Sequence, residues 1–330
     1  KESSIKFGKS RNAILTKRVD SREGCVLCGM CMYGCKRRSI YNSIYDLEQL
    51  KKFPNFDFKK GYIAQSVQRK NESNYLLVKN IKKNIQESFV ADKVILAAGP
   101  FSTIRIILDS LGVYDTPIKF FSNPISIFAL LFPRALGRLI EKESYNFGQL
   151  AFFMEKPLEF FGVLYNVSGI PMWEFLDKTP LSTKNTRKAL RYLLPAIRAG
   201  NCYLPGKYSS HKLALKKNGI LKIEGSYRHQ DQLRIISRKL KKTFWNYGAV
   251  VLPGSFKETI PGSDAHCCGT SPASLAPKEH ETKLNGEVKG LDKVFVVDAS
   301  GLPSIPTKPY TFTIMANADR IARGILSSSF

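Results

Sequence analysis

Four thiols crowd one short stretch of this chain. Cys25, Cys28, Cys31 and Cys35 are separated by gaps of two, two and three residues. Gaps this short suit a disulfide framework poorly, whereas thiolates so spaced can wrap a metal or a cluster in a reducing compartment. The spacing is that of an iron–sulfur run, but Pro usually follows the fourth cysteine of such a run and here Lys36 does. In paired-cluster proteins the fourth thiol also serves a second cluster, so four ligands to one cluster do not follow from spacing alone. Iron–sulfur ligation, unligated thiols and a zinc site stay open; zinc sites usually set their ligand pairs further apart. Arg22, Lys36, Arg37 and Arg38 flank the run and would stabilise thiolates or an anionic cluster.

Three further segments carry candidate chemistry. Val94 to Pro100 reads as a buried strand ending in Ala98-Gly99, small residues that let a nucleotide approach the backbone. His266-Cys267-Cys268-Gly269-Thr270 places a histidine among small residues, where it could act as a general base; packing alone also explains the two cysteines. His211, His229 and His280 lack such a context and read as surface residues. Val296-Val297-Asp298-Ala299-Ser300 is a strand running into a loop. It precedes Pro309-Tyr310 and the start of a helix, whose free N–H groups suit phosphate or flavin.

The elements that must position these groups are legible in outline. A short helix is expected over 46–52, and strands around 61–67, 75–78 and 93–97. Gly99-Pro100 stops the third strand, and a helix with apolar Ile104, Ile106, Ile107 and Leu108 follows. The middle of the chain mixes aromatic-rich strands at 149–154 and 160–167 with a helix near 184–198. The apolar run 125–133 is too short to span a bilayer and reads as a buried helix, with a membrane-dipping segment as the second reading. A continuous apolar run at 293–298 predicts a buried strand. A loop with Pro303, Pro306 and Pro309 and a last helix over 311–326 complete the chain.

Composition bounds the rest. The chain has 330 residues, 43% hydrophobic, with 21 Phe and 14 Tyr, enough to bury a large core and to argue against bulk disorder. Its net charge of +24 is spread over scattered runs such as Lys82-Lys83, Lys216-Lys217 and 238–242, without the interleaved aromatics of a nucleic-acid platform. Nucleic acid is therefore not expected as a partner, while peripheral association with an anionic membrane surface stays open. Cysteine usage favours the cytoplasm or its membrane face.

In their order along the chain these segments resemble the glucose–methanol–choline oxidoreductases. Val94–Gly99 with Phe101-Ser102-Thr103 resembles that family's adenine-side strand, and 266–270 its His-Pro-x-Gly-Thr signature, with Cys267 in place of Pro. Val296 to Pro303 resembles its Val-x-Asp-Ala-Ser-x-x-Pro signature, and Thr313-Ile314-Met315-Ala316 the start of its last helix. The cysteine run stands where long-chain alcohol oxidases of the family are cysteine-rich, and resembles the cluster-binding stretch of flavin-dependent sugar dehydrogenases.

The resemblance implies an α/β protein, α+β overall: a partial FAD-binding Rossmann-like domain plus a substrate domain with a mixed or antiparallel sheet. It implies FAD-binding parts at 1–114, with the cysteine cluster, and at 251–330, around a substrate domain at 115–250. It further implies FAD as cofactor and oxidation of an alcohol or sugar hydroxyl. His266 would be the base, Ala98, Gly99, Asp298 and Ala299 would lie on the cofactor, and Pro309 and Tyr310 beside the flavin. A [4Fe–4S] or [3Fe–4S] cluster on the four cysteines would relay electrons to a protein or quinone acceptor. Two departures matter. The family's usual His or Asn before Pro is Lys308 here, which would hydrogen-bond a substrate oxygen or face solvent. No Gly-x-Gly-x-x-Gly fingerprint occurs, so an upstream or separate segment is expected to supply the pyrophosphate turn. An oxygen-using long-chain alcohol oxidase and a non-catalytic, degenerate flavoprotein-like subunit are the alternatives.

Overall fold

The computed structural model describes residues 4–139, 146–167, 180–226, 229–259 and 266–327. Its helices are α1 (Ile44–Leu50), α2 (Pro100–Leu111), α3 (Thr183–Leu193), α4 (Gln230–Asn246) and α5 (Thr311–Ser327). The chain divides into two compact units, each assembled from three separate stretches: 1–58, 125–203 and 229–259 in one, 59–124, 204–228 and 260–330 in the other.

The first unit is built on an antiparallel sheet. Lys6–Lys9, Gly148–Met154, Phe160–Asn166, Ile197–Tyr203, Ile125–Leu131 and Val250–Val251 lie side by side in that order, and Lys257–Glu258 also pairs with Ile125–Leu131. The run expected as a buried helix is thus a strand in the middle of this sheet. Its burial alternates residue by residue, with Ser126, Phe128 and Leu130 inward. β-branched Ile125 and Ile127 and aromatic Phe128 favour a pleated surface, and seven residues before a proline are too few for a stable helix. Inward Phe128 and Phe152 meet Phe244 of α4 at centroid distances of 6.1 and 5.8 Å, and Phe7 joins them. The rings fit because glycines lie beneath them. A Cβ on Gly162 would come within 2.1 Å of the Phe152 ring, and one on Gly200 within 2.4 Å of Phe128. Ser182 caps α3 by accepting from Asn185 N–H, and α3 packs Leu190 against Val167 and Leu194.

The second unit has several small sheets around α2. Tyr62–Lys70, Ser73–Asn80 and Ile85–Ala91 form a meander, its first turn made by Asn71 and Glu72, both at positive φ. The third of these strands is too polar for the sequence to reveal. Leu221–Glu224, His211–Leu215, Ile118–Ser122 and Cys267–Cys268 form an antiparallel sheet. Val94–Leu96 and Val294–Val296 pair in parallel, Val94 opposite Val294. On α2, Ile104, Ile106, Ile107 and Leu108 are buried against Val94, Leu96, Val294 and Val296. Each fully buried aliphatic side chain contributes roughly 1.5–3 kcal/mol, so this helix anchors the unit. His211 is buried here, its ring 5.3 Å from that of Phe120, and His229 is buried in the first unit. The surface reading of both is corrected: His211 lies against Phe120 and His229 against Glu258, neighbours distant in sequence that single-residue context does not show. Among the described residues no helix is long and apolar enough to cross a membrane.

Candidate active site

The parallel strand pair of the second unit ends in two turns that one carboxylate joins. Asp298 Oδ2 accepts from Gly99 N–H at 2.8 Å and from the Thr103 hydroxyl at 2.5 Å, while Oδ1 accepts from Ser300 N–H at 2.8 Å. Thr103 Oγ1 in turn accepts from Ala98 N–H at 3.2 Å. Ala98, Gly99, Asp298 and Ala299 are therefore brought together, and Thr103 is the link between them. Gly99 caps α2 at φ 85°, with open space where a Cβ would stand. Pro100 fits the first helical position because its fixed φ is helical and its missing N–H would have no partner there. Ser300 is fully buried, and its Oγ has no hydrogen-bond partner among the described residues.

The segment 266–270 is threaded against the same turns. Cys267–Cys268 pairs with Phe121–Ser122, and His266 O accepts from Asn123 N–H at 3.4 Å. Gly269 N–H donates to Ala299 O at 3.1 Å, and Thr270 Oγ1 to Pro100 O at 3.0 Å. Gly269 has φ 74°, and a Cβ there would lie 2.8 Å from the Phe121 ring, so glycine is required twice over. Cys268, fully buried, packs with Ala299, Leu302, Ile305 and Tyr310. Burial, then neighbouring Cys267, pushes its thiol up to about 12, which makes it an inert packing residue.

His266 stands at the edge of this core. Its ring lies 5.4 Å from that of Tyr310, edge to face at 72°, and the Tyr310 hydroxyl donates to Cys267 O at 3.1 Å. Lys308 and Pro309, just before Tyr310, are exposed. Asn123 is a contributor the sequence reading missed. Fully buried, it donates from Nδ2 to Leu204 O at 2.7 Å and Pro306 O at 3.2 Å, so it fastens the proline loop to the strand end beside His266. Its signal was the Asn-Pro dipeptide, a turn mark.

The cysteine stretch belongs to the other unit. Cys25, Cys28, Cys31 and Cys35 line one cavity of about 540 Å³ together with Ile14 and Ile40. The chain reaches this shape through positive φ at Leu27, Gly29, Gly34 and Arg38. Cys25 Sγ accepts from Leu27 N–H and Cys31 Sγ from Asn146 N–H, each at 3.4 Å. Burial raises the Cys35 thiol, but hydrogen bonds from Ile40, Ser39 and Arg37 outweigh it and leave the thiol below its ordinary value. Arg37 pairs with Glu23 at 2.8 Å and Arg38 with Glu48. Among the described residues no group of three or more His, Cys, Asp or Glu side chains is placed to hold a metal ion.

Comparison with known proteins bears on the fold. Residues 231–318 match the model of a family described as GMC oxidoreductase. Pyridoxine 4-oxidase from Mesorbium loti is similar in structure, with TM-score 0.53 and 15% identity over 80% of this chain and 57% of that one. A formate oxidase from Aspergillus oryzae gives TM-score 0.56 at 13% identity over 81% and 60% of the two chains. An FAD-dependent oxidoreductase from Chaetomium thermophilum gives 0.56 at 12% identity over 89% and 64%. This chain thus spans less than two thirds of the length of each of these structures. A search of curated proteins found no match. Residues 231–318 are thus similar to the C-terminal region of the GMC oxidoreductases, and the chain has a mixed α/β fold with antiparallel sheets.

Proposed function

We propose that this chain is the substrate-handling and catalytic part of an FAD-dependent oxidoreductase that oxidises an alcohol or sugar hydroxyl. The observation that carries the reading is the Asp298 clamp, which fixes two turns at the ends of parallel strands beside the core that seats His266. Ligands in such sheets gather at the carboxyl ends of the strands. The residues fit a flavin nucleotide: Gly99 leaves open space at the start of α2, and Ser300 Oγ is a buried hydroxyl without a partner among the described residues. Ala98, Gly99, Ala299 and Pro309-Tyr310 would hold the group, and Asp298 acts by setting both turns. FAD, when bound, supplies the hydride acceptor. His266 takes the proton of the substrate hydroxyl on an imidazole nitrogen, and the Tyr310 edge keeps that ring oriented. Lys308 hydrogen-bonds a substrate oxygen from the exposed loop, and a protein or quinone acceptor closes the cycle.

The reading includes an iron–sulfur cluster in the cysteine cavity. In its support, all four thiols line one cavity and Cys35 is held toward its thiolate. The thiols as placed do not form a ligand set, so the loop would have to tighten around a cluster.

The test is the absorbance spectrum, with iron and sulfide analysis, of protein purified anaerobically with any upstream sequence of its reading frame. Flavin bands are expected, with iron at about three or four per chain. Absence of flavin sinks the catalytic reading, and flavin without iron sinks the cluster alone. In the flavin-loaded protein, His266→Asn should lower kcat by roughly 10²–10⁴ while flavin content is kept.

A further inference from the structure

The basic run at 238–242 is taken up by α4, which sorts its side chains by helical position. Leu233, Ile236, Leu240 and Phe244 are buried on one face. Arg234, Ser237, Arg238 and Lys241 recur at i, i+3, i+4 and i+7 and so share a neighbouring face. These four border a cleft of about 360 Å³ that Phe256 and Glu258 complete. Phe256 stacks on Phe128 with ring centroids 5.7 Å apart and planes 19° from parallel, which joins this wall to the sheet.

The charges around the cleft do not cancel. Glu258 Oε1 lies 2.9 Å from Nε2 of buried His229, so its carboxylate is already engaged. Among the described residues Arg234 has a single, long acidic contact of 3.8 Å to Asp231, with both side chains mostly exposed, an arrangement of little energetic weight. Among the described residues neither Arg238 nor Lys241 has an acidic partner. Elsewhere on this basic chain Arg37, Lys216 and Arg323 each have one, in Glu23, Asp115 and Asp319. Among the described residues that line the cleft, three cations face one carboxylate, a local surplus of two positive charges around a concave site.

We infer that this cleft on α4 binds a phosphate group. The surplus matches a dianion. The two guanidinium forks offer paired N–H donors at the spacing of phosphate oxygens, Lys241 adds a point charge, and Ser237 supplies a hydroxyl between them. A soluble phosphate compound and the headgroup of an anionic lipid present the same chemistry. The site lies apart from the catalytic residues in sequence and stands independently of the flavin reading.

Calorimetric titration of the whole chain with inorganic phosphate at low ionic strength tests the inference, because screening weakens such contacts. One phosphate should bind per chain. The Arg238→Ala/Lys241→Ala variant should bind at least about tenfold more weakly, since charge-assisted hydrogen bonds are lost. A Lys216→Ala/Lys217→Ala control removes equal charge elsewhere and should bind as the parent does. Circular dichroism verifies that both variants are folded. No binding by the parent, or equal weakening in both variants, overturns the inference. Sedimentation with phosphatidic acid vesicles then separates the sources. Pelleting that free phosphate reverses and the Arg238/Lys241 variant lacks assigns a lipid headgroup. Phosphate binding without pelleting assigns a soluble anion.

Discussion

The two units stabilise their motif residues in opposite ways. Around Asp298 the important groups are buried polar atoms that satisfy one another: one carboxylate serves Gly99, Thr103 and Ser300, and Thr270 closes on Pro100. Around the cysteines the backbone carries the shape, through residues at positive φ and amide-to-sulfur bonds, while Val26, Met30, Met32 and Tyr33 lie more than half exposed. The first arrangement is rigid before any ligand arrives. The second leaves its thiols arranged to respond to what enters the cavity. A sequence motif can thus mark a finished site in one unit and an adaptable one in the other.

The largest test of that contrast is Asp298→Ala. It strands three donors in a buried site and should cost roughly 3–5 kcal/mol in denaturant unfolding; a loss below about 1 kcal/mol would mean the clamp is redundant. Next is acid sensitivity in the first unit. Burial pushes His229 down to about 4, below its ordinary 6.5. Its folded value is below its unfolded one, so the neutral ring stabilises the fold fully above pH 6.5, and that contribution is lost as pH falls through about 4. The loss should reach up to roughly 3 kcal/mol. Glu258, raised by burial, acts in the opposite sense. Because Glu258 touches this ring, the difference between the parent and His229→Gln across pH 7 to 4 reads the pair together, and parallel curves would refute the acid sensitivity. A smaller effect is expected for Tyr310→Phe, which removes one hydrogen bond to Cys267 O and should cost about 0.5–1.5 kcal/mol in thermal or denaturant melts. Smallest is Cys28→Ser, at an exposed thiol. In metal-free protein it should change stability by no more than about 0.5 kcal/mol, and a larger loss would show the cysteine loop to be as finished as the Asp298 turns.

Much of this was legible in the sequence because it rests on local pattern. The strands expected at 93–97 and 293–298 pair in parallel over Val94–Leu96 and Val294–Val296, the second buried throughout and the first with Ile95 exposed, and the last helix runs Thr311–Ser327 against an expected 311–326. The helix expected after Gly99-Pro100 starts at Pro100 itself, a boundary that the Gly-Pro pair marks. What was hidden depends on partners distant in sequence. Ile125–Leu131 became a strand because Ile197–Tyr203 and Val250–Val251 flank it. The strand Ile85–Ala91 was hidden by its polar residues, and the burial of His211 and His229 by neighbours supplied from other elements. At the site, the motifs named Asp298 and Gly99 but not the bond between them, and Asn123 was marked only by the turn dipeptide it forms with Pro124.

The glycines under the phenylalanine rings have a consequence for how this protein can change over time. Gly162 and Gly200 leave no room for even a methyl group beneath Phe152 and Phe128. Neither position can drift alone: at Gly200 a side chain can appear only after the ring above has shrunk, leaving a void in the intermediate, and at Gly162 the backbone oxygen of Asn201, 2.4 Å from an added Cβ, blocks it as well. Each glycine and its ring should therefore be inherited as a pair, which makes this sheet a slow-moving frame on which surrounding surfaces can diversify.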